Sequence, residues 1–575
     1  MRMRMTILLA VVLMASLMLS ACSGGSGNGG NNGNTAENSA GNTTANTTAD
    51  NTAENASGTG DEGSQEPYPT LGKEPLKFSY YVNYGWAAPI GYGSDATTKW
   101  LKEEKKIDIE EISSNGNAEQ KFGTMVASNQ FPDVIQLDRG SKEFNSLVEN
   151  GKLVALDEYL DKYPELKSLL DPETINTLRS PDGKLYAIPN WFDSKKNTEK
   201  SNNSGWLVNR KIHKELGSPA LETFDDLYNY LTQVKAKYPD VTPIDTGTVS
   251  DGNLMLQNYI YIGHGDFRGA VPNVTTRDGG RANLGTKTVD SLFDDPAYKE
   301  SWQFVNKLFR EKLLSQDALT QKAEQFTEKL NSGKIAILAI NDATGFGKAA
   351  NTALGENGYD AIPLIHKAGA SNVSNSGYGT LGWNLVTITT SAKEPERIFE
   401  YLDWWASKEG QRIMSFGPPG LLYDEVDENG APIDNEKAKT MSDEEKAALK
   451  LFSWRPLGTW NNSVVTNAKA SQDPNNIPWD LAAGRLYASA NADINADQFN
   501  NFRSYDPNSD AGVAAQKIVQ LGVEMHAKLL FAKTDDDFAK EFESYRKKVE
   551  DAGYQAVLDF QTKTWEENRK KMGIE

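Results

Sequence analysis

An α/β fold with mostly parallel sheets is predicted for most of this 575-residue chain, and three observations predict it. Short β-prone runs alternate with longer amphipathic stretches, the pattern of strands covered by helices. The strongest run, Lys334 to Ile340, is apolar almost throughout, as a strand buried on both faces must be. From about Leu76 to Glu575 the chain exceeds the roughly 100 to 200 residues of an ordinary domain, so it can build two or more cores.

The elements follow in order. Phe78 to Val82 reads as the first strand, followed by a polar, aromatic loop at Asn83-Tyr84-Gly85-Trp86 and a helical region containing Trp100 and Leu101. Asp133 to Leu137 is a second strand and Leu185 to Ile188 a third. Thr223 opens a helix, with Asp226 completing a capping pair and Phe224, Leu227, Tyr228, Leu231 and Val234 on one face. The turn Asn331-Ser332-Gly333 introduces the Lys334 to Ile340 strand. Leu385 to Ile388 is another strand, leading through Thr389-Thr390-Ser391 into a helix from about Pro395 to Ser407. There Ile398, Tyr401, Leu402 and Trp405 form an apolar stripe, which assigns Trp404 and Trp405 to the core; Trp302 and Trp565 read the same way. The tail from about Asp537 to Lys571 is helical, broken at Asp551-Ala552-Gly553.

Before this body lies a different kind of chain. Arg2 and Arg4, the apolar stretch Ile7 to Leu19 and the junction Leu19-Ser20-Ala21-Cys22 have the form of a bacterial lipoprotein leader, with Cys22, the sole cysteine, as the lipidated residue. The apolar stretch is short for a span, which needs about 20 residues. Residues 23–66 are nearly all Gly, Asn, Thr, Ala and Ser, a composition that cannot bury enough surface to fold. As a flexible linker its ends would lie roughly 35 to 40 Å apart. The expectation is a signal peptide over 1–22, a disordered linker over 23–66 and a body tethered to the outer face of a membrane.

Charge narrows the function. With 79 Asp+Glu against 60 Lys+Arg the formal net charge is −19, so no broad basic surface is available for nucleic acid. The four histidines, at 213, 264, 366 and 526, show no zinc spacing, and neither a Gly-x-Ser-x-Gly elbow nor a Walker phosphate loop occurs. Asp493, Asn495 and Asp497 imitate the start of a calcium loop, but Gln498 stands where Gly is needed and Ser504 where Glu is needed. No cofactor is expected.

Five stretches in order carry a family resemblance: Phe131-Pro132-Asp133-Val134-Ile135; Asp182 to Pro189; Trp206 to Lys211, continuing through Leu216-Gly217 to Thr223-Phe224-Asp225-Asp226-Leu227; Phe326 to Ala336; and Leu402-Asp403-Trp404-Trp405 through Lys408 to Gln411. With these the chain resembles the extracellular solute-binding proteins of ATP-driven sugar importers, the maltose-binding-protein-like group, and especially its long lipoprotein members from Gram-positive bacteria. The resemblance implies a two-lobe fold with an interlobe cleft and extra C-terminal helices. It places residues 76–195 mainly in lobe 1, 196–385 mainly in lobe 2, and 386–575 in helical segments returning to both. Crossovers are expected near Pro189 to Trp206 and near Gly377 to Thr390.

Ligands of open α/β sheets sit beyond the carboxyl ends of strands. A sugar needs flat rings for its C–H faces and polar side chains for its hydroxyls. Candidates are Tyr84 and Trp86 after the first strand, Asp138 and Arg139 after the second, Trp191 with Phe192 at the first crossover, Asn341, Asp342 and Phe346 after the buried strand, and Tyr378 and Trp383 among Gly377, Gly379 and Gly382. In the family an Asp-Arg pair like Asp138-Arg139 contacts sugar hydroxyls, and an aromatic often stacks where Phe346 stands. Surface ion pairing, hinge packing and a plain tight loop are the structural alternatives for these positions. Trp454, Arg455 and Trp460 occupy an irregular region that could line the cleft. The expected function is a lipid-anchored, non-catalytic, monomeric receptor that passes an oligosaccharide to an importer permease. A surface-tethered glycoside hydrolase or lyase, and a receptor for a peptide or other polar solute, remain alternatives.

Overall fold

The computed structural model describes residues 68–574 apart from 86, 140, 193–200, 248–253, 272–278, 452–453, 459–461 and 475–476. The leader, Cys22 and the linker therefore lie outside the described residues, as do Trp86 and Trp460.

Two sheets organise the body. The first contains β1 (Leu76–Val82), β2 (Ile107–Ile112), β3 (Val134–Asp138) and β4 (Ile188–Asn190). The second contains β5 (Gly205–Asn209), β6 (Thr242–Asp245), β7 (Ile335–Ile340) and β8 (Tyr359–Ile362), after which β9 (Asn384–Ile388) returns to the first. The strand orders are β2-β1-β3-β9-β4 and β8-β5-β7-β6. The first sheet has Leu76, Phe78, Tyr80, Val134 and Val386 on one face. Tyr81, Ile135 and Leu137 lie on the other. Similarly, Trp206 and Val208 of β5 enter one core of the second lobe while Leu207 enters another. Every residue of β7 is buried, as its apolar run requires. Each of its Ile and Leu side chains contributes roughly 1.5–3 kcal/mol by leaving water.

The expected preponderance of parallel strands does not hold. β1 runs parallel to β2 and β3, and β6 to β7, whereas the β3/β9, β9/β4, β5/β7 and β8/β5 pairs are antiparallel. The reason lies in the crossings. β1, β3 and β4 all end at one rim of the first sheet, and β9, arriving from the second lobe, must start there and run away from it. In the second sheet β5 starts at the corresponding rim, at which β6, β7 and β8 end. Each passage, from Asn190 to Gly205 and from Ile362 to Asn384, thus joins rim to rim, and the two polar rims share one junction. Leu185 also departs from expectation: its N–H donates to Asp157 at 3.0 Å and its carbonyl accepts from Leu156, so pairing starts only at Ile188.

The helices obey their local signals. α1 (Pro172–Leu178) belongs to the first lobe. α2 (Phe224–Lys237) carries the capping box, with Asp226 accepting from the Thr223 N–H at 2.9 Å and its own N–H donating to Thr223 Oγ1 at 3.2 Å. α3 (Ala343–Leu354) follows β7 directly. α4 (Pro395–Ala406) packs Tyr401, Trp404 and Trp405 into the first-lobe core. Trp454 joins them, donating to Tyr401 Oη at 2.8 Å, so it supports the core and does not line the cleft.

α4 also clamps the start of the described chain. Glu400 accepts from the N–H groups of Thr70 and Leu71 and from the Thr70 hydroxyl. Asp403 accepts from Tyr68 Oη at 3.1 Å and from the Leu166 N–H at 2.8 Å. Burial pushes the Asp403 carboxyl up to about 6.

α5 (Trp479–Ala488) packs on the second sheet through Tyr487. α6 (Asp510–Phe531), α7 (Asp535–Asp551) and α8 (Tyr554–Met572) complete the large second-lobe core around Trp302 and Trp565, both fully buried. The break between α7 and α8 falls where the sequence places it, with Gly553 at φ +100°. Among the described residues no helix is long and apolar enough to cross a membrane.

Candidate functional site

The first-lobe rim is built from strand ends. Antiparallel register sets Asn384 of β9 opposite both Asp138 of β3 and Asn190 of β4, making one polar rung across three strands. Directly opposed residues share a sheet face. Asn384 is fully buried, and neither its Oδ1 nor its Nδ2 completes a hydrogen bond; Asn190 Nδ2 is likewise unpaired. Asn190 Oδ1 accepts from the Gly458 N–H at 2.5 Å. A buried amide left unsatisfied costs about 1–3 kcal/mol, so two on one rung are a costly arrangement for the fold to keep.

Above this rung sits an aromatic pair. Tyr84 follows β1 and donates its hydroxyl to Asp138 Oδ1 at 2.8 Å. Its ring lies 5.3 Å from that of Trp383 at an interplanar angle of 42°. Trp383 is 47 % exposed, whereas six of the other nine described tryptophans are buried. Burial raises the Asp138 carboxyl above the usual range, opposed by the Tyr84 hydrogen bond, and burial followed by the Asp138 charge raises the Tyr84 phenol. An acceptor, a hydroxyl and a flat apolar face are thereby held together.

Trp191 marks where the crossings meet. It adopts φ +59°, a left-handed conformation that is costly for a bulky side chain. Its N–H donates to the Gly458 carbonyl at 2.6 Å, and its ring lies against Gly458, with the Arg455 guanidinium 5.9 Å from the ring centroid. Gly382 backs onto the Asn190 carbonyl, leaving no room for a Cβ. Gly377 is likewise closed off by the Ile494 carbonyl. These glycines answer to neighbouring backbone and not to a ligand. Phe192 is buried in the first-lobe core.

The second-lobe rim is different in kind. Asp342, between β7 and α3, adopts φ +57° and accepts from Asn203 Nδ2 at 3.4 Å; burial pushes its carboxyl up to about 6. Asn341 is exposed beside Met255. Asn375 donates to the Ser204 carbonyl at 2.7 Å, and Asn202 donates to Asn491 Oδ1 at 3.0 Å. Phe346 is partly buried, edge-on to Phe326 at 5.3 Å against the second-lobe core. Tyr378 belongs to the hinge: its N–H donates to the Ile494 carbonyl and its carbonyl accepts from the Ala496 N–H.

Arg139 points away from the cleft expectation as well. Its Nη1 lies 3.9 Å from Asp497 Oδ1, an ion pair to the chain segment that follows α5. Asn495 Oδ1 in turn accepts from the Asp497 N–H and Gln498 Oε1 from Trp565, so the calcium-like run is used to cap a turn and to fix a helix. Among the described residues no group of three His, Cys, Asp or Glu converges to hold a metal.

The structure thus gathers Tyr84, Asp138, Trp383 and Trp191 on one rim and Asn341 with Asp342 on the other. Sequence reasoning missed Asn384, Asn190 and Asn203. For Asn384 the signal was present, since it begins the strand directly after Trp383.

The family model for the bacterial extracellular solute-binding protein matches residues 84–412. Lipoprotein LipO of Bacillus subtilis (strain 168) is 23% identical over 342 residues, which cover 57% of this chain and 63% of that protein, less than two thirds of its length. Among solved structures, the S. pneumoniae ABC-transporter substrate-binding protein FusA in complex with kestose superposes with a TM-score of 0.60 at 17% identity, covering 86% of this chain and 100% of that one. A solute-binding protein from Bifidobacterium longum infantis, described as HMO-binding and ABC-transporter-associated, gives a TM-score of 0.60 at 17% identity over 86% and 99%. At these identities the structural likenesses establish the two-lobe fold.

Proposed function

The chain belongs to the bacterial extracellular solute-binding protein family, and from that premise we propose that it is a lipid-anchored, non-catalytic receptor that captures an oligosaccharide and passes it to the permease of an ABC importer. The observation that carries the sugar assignment is the exposed Trp383 ring beside Tyr84, whose hydroxyl is bonded to Asp138 of the Asp138–Asn384–Asn190 rung. A pyranose or furanose ring offers an apolar face to an indole and hydroxyls to the amides and carboxylates around it. The neighbours named for kestose and for HMO binding support the same class. Capture would proceed by closure of the second rim over a ligand already seated on the first, and the closed form would be the one the permease recognises.

Anchoring is proposed at Cys22, on the extracellular face of a Gram-positive membrane, with the 23–66 segment as the leash. The receptor acts as a monomer and has no nucleic-acid partner. Calorimetric titration against neutral oligosaccharides, kestose among them, with product analysis of the same mixtures, tests the reading: saturable binding with the sugar recovered intact is expected. Cleaved sugar would replace the receptor by an enzyme, and silence across the panel would sink the carbohydrate assignment. Incorporation of labelled fatty acid that is lost in Cys22→Ser tests the anchor separately.

A further inference from the structure

The second rim holds a sulfur. The helix Met255–Ile262 buries every residue after its first, and Met255 alone is half-buried. Residues four apart share a helix face, so Met255 lies one turn before Tyr259, whose hydroxyl donates at 3.2 Å to the carbonyl of Ile340, the last residue of β7. That places the thioether beside the next residue, Asn341, whose Nδ2 lies 3.9 Å from Met255 Sδ. Asn258, three residues along the helix, brings its own Nδ2 to 3.8 Å from the same sulfur. Asn258 is 1% exposed, and its Oδ1 has no partner. Two amide donors thus converge on one acceptor, and a thioether accepts weakly.

Residues 68–574 contain no cysteine, so methionine carries the only sulfur of the body. Of its six methionines Met125, Met414, Met525 and Met572 are buried, which leaves Met255 and Met441 within reach of an oxidant in solution. Met255 is the one at the rim, with two amides against its sulfur. We propose that Met255 is a reversible oxidation site: hydrogen peroxide converts its thioether to a sulfoxide, whose oxygen takes the Asn341 and Asn258 amides as donors. The sulfur lone pair attacks one peroxide oxygen, the O–O bond breaks as the S–O bond forms, and the departing hydroxide takes up the remaining proton and leaves as water. Sulfur is oxidised and peroxide reduced. A soft apolar group becomes a polar acceptor. Asn341, the exposed amide of this rim, is then held by its own lobe instead of facing a ligand hydroxyl. The effect on capture rests on the solute-binding reading; the oxidation itself does not.

Peptide mass mapping of the full chain after graded hydrogen peroxide is expected to show Met255 and Met441 each gaining one oxygen at a dose that leaves the four buried methionines and the Trp383 peptide unmodified. At that dose, affinity for a sugar from the titration panel is expected to fall by up to about fivefold, with the same reordering of sugars as in Asn341→Ala. The two methionine sulfoxide reductases, one for each sulfoxide epimer, should together restore both mass and affinity. With each variant compared before and after peroxide, the fall is expected to persist in Met441→Leu and to vanish in Met255→Leu and in Asn341→Ala. A Met255 peptide that stays unmodified while Met441 is converted overturns the inference, as does complete Met255 oxidation with unchanged affinity. Should Met255→Leu fail to fold, Met441→Leu and the reversal by the reductases decide. If wild type binds no sugar, the function reading fails while the order of oxidation still decides the modification site.

Discussion

The two rims that meet at the junction solve different halves of one recognition problem. The first presents rings, Tyr84 and Trp383, beside a rung of buried amides. The second presents amides and a carboxylate, and Phe346 there lies partly buried against Phe326. Stacking is tolerant of which sugar it holds, whereas hydrogen bonding to hydroxyls is demanding. On the proposed reading, the division would place affinity on the first rim and selectivity on the second.

Breaking the first rim should cost most. Trp383→Ala is expected to weaken binding by about 2 kcal/mol, roughly thirtyfold, through the stacking area it removes, with little change in melting because the ring is half exposed. Asn384→Ala, which removes the unpaired amide beneath it, should cost about 1–1.5 kcal/mol by calorimetry. If Trp383→Ala binds like wild type, the affinity assignment to this rim falls.

The second rim should yield smaller and more selective effects. Asn341→Ala is expected to change affinities by no more than about fivefold while altering their order across the sugar panel. Asp342 adds a pH signature. Its carboxyl is raised to about 6 by burial, so the ionised form that accepts hydroxyl bonds is populated above that value. Affinity should rise with pH through about 6 and flatten above, and Asp342→Asn should abolish the slope. Stability moves the other way. The folded state binds its proton more tightly than the unfolded chain, so stability is lost as pH rises from the ordinary carboxylate range through about 6. Asp342→Asn should consequently melt higher at pH 7 while binding more weakly, a trade found where polar groups are buried for function. An unaltered melting temperature would show that the burial penalty is compensated elsewhere.

What the sequence disclosed was local. The capping box at Thr223, the apolar run of β7 and the break at Gly553 each depend on residues a few positions apart, and each forms where expected. The proximity of Tyr84, Asp138 and Trp383 was legible because each stands where a strand meets a loop at one rim. The Asp138–Asn384–Asn190 rung was not, because it exists only through the register of three strands distant in sequence. Arg139 and Phe346 show the converse: their positions suit a site, but Asp497 and Phe326, invisible as neighbours in one dimension, claim their side chains. The direction of β9 was hidden for the same reason, since it is set by the side from which the chain re-enters.

The grip of α4 on residues 68–71 bears on the anchoring proposed at Cys22. Two carboxylates, Glu400 and Asp403, hold the incoming chain to the body through Tyr68, Thr70 and Leu71. All of these sit on the first lobe, remote in the chain from the Asn190–Gly205 passage. A tug transmitted along the N-terminal segment is therefore borne by one jaw and relieved before it reaches the joint. With the anchor proposed at Cys22, the other jaw would carry none of that load.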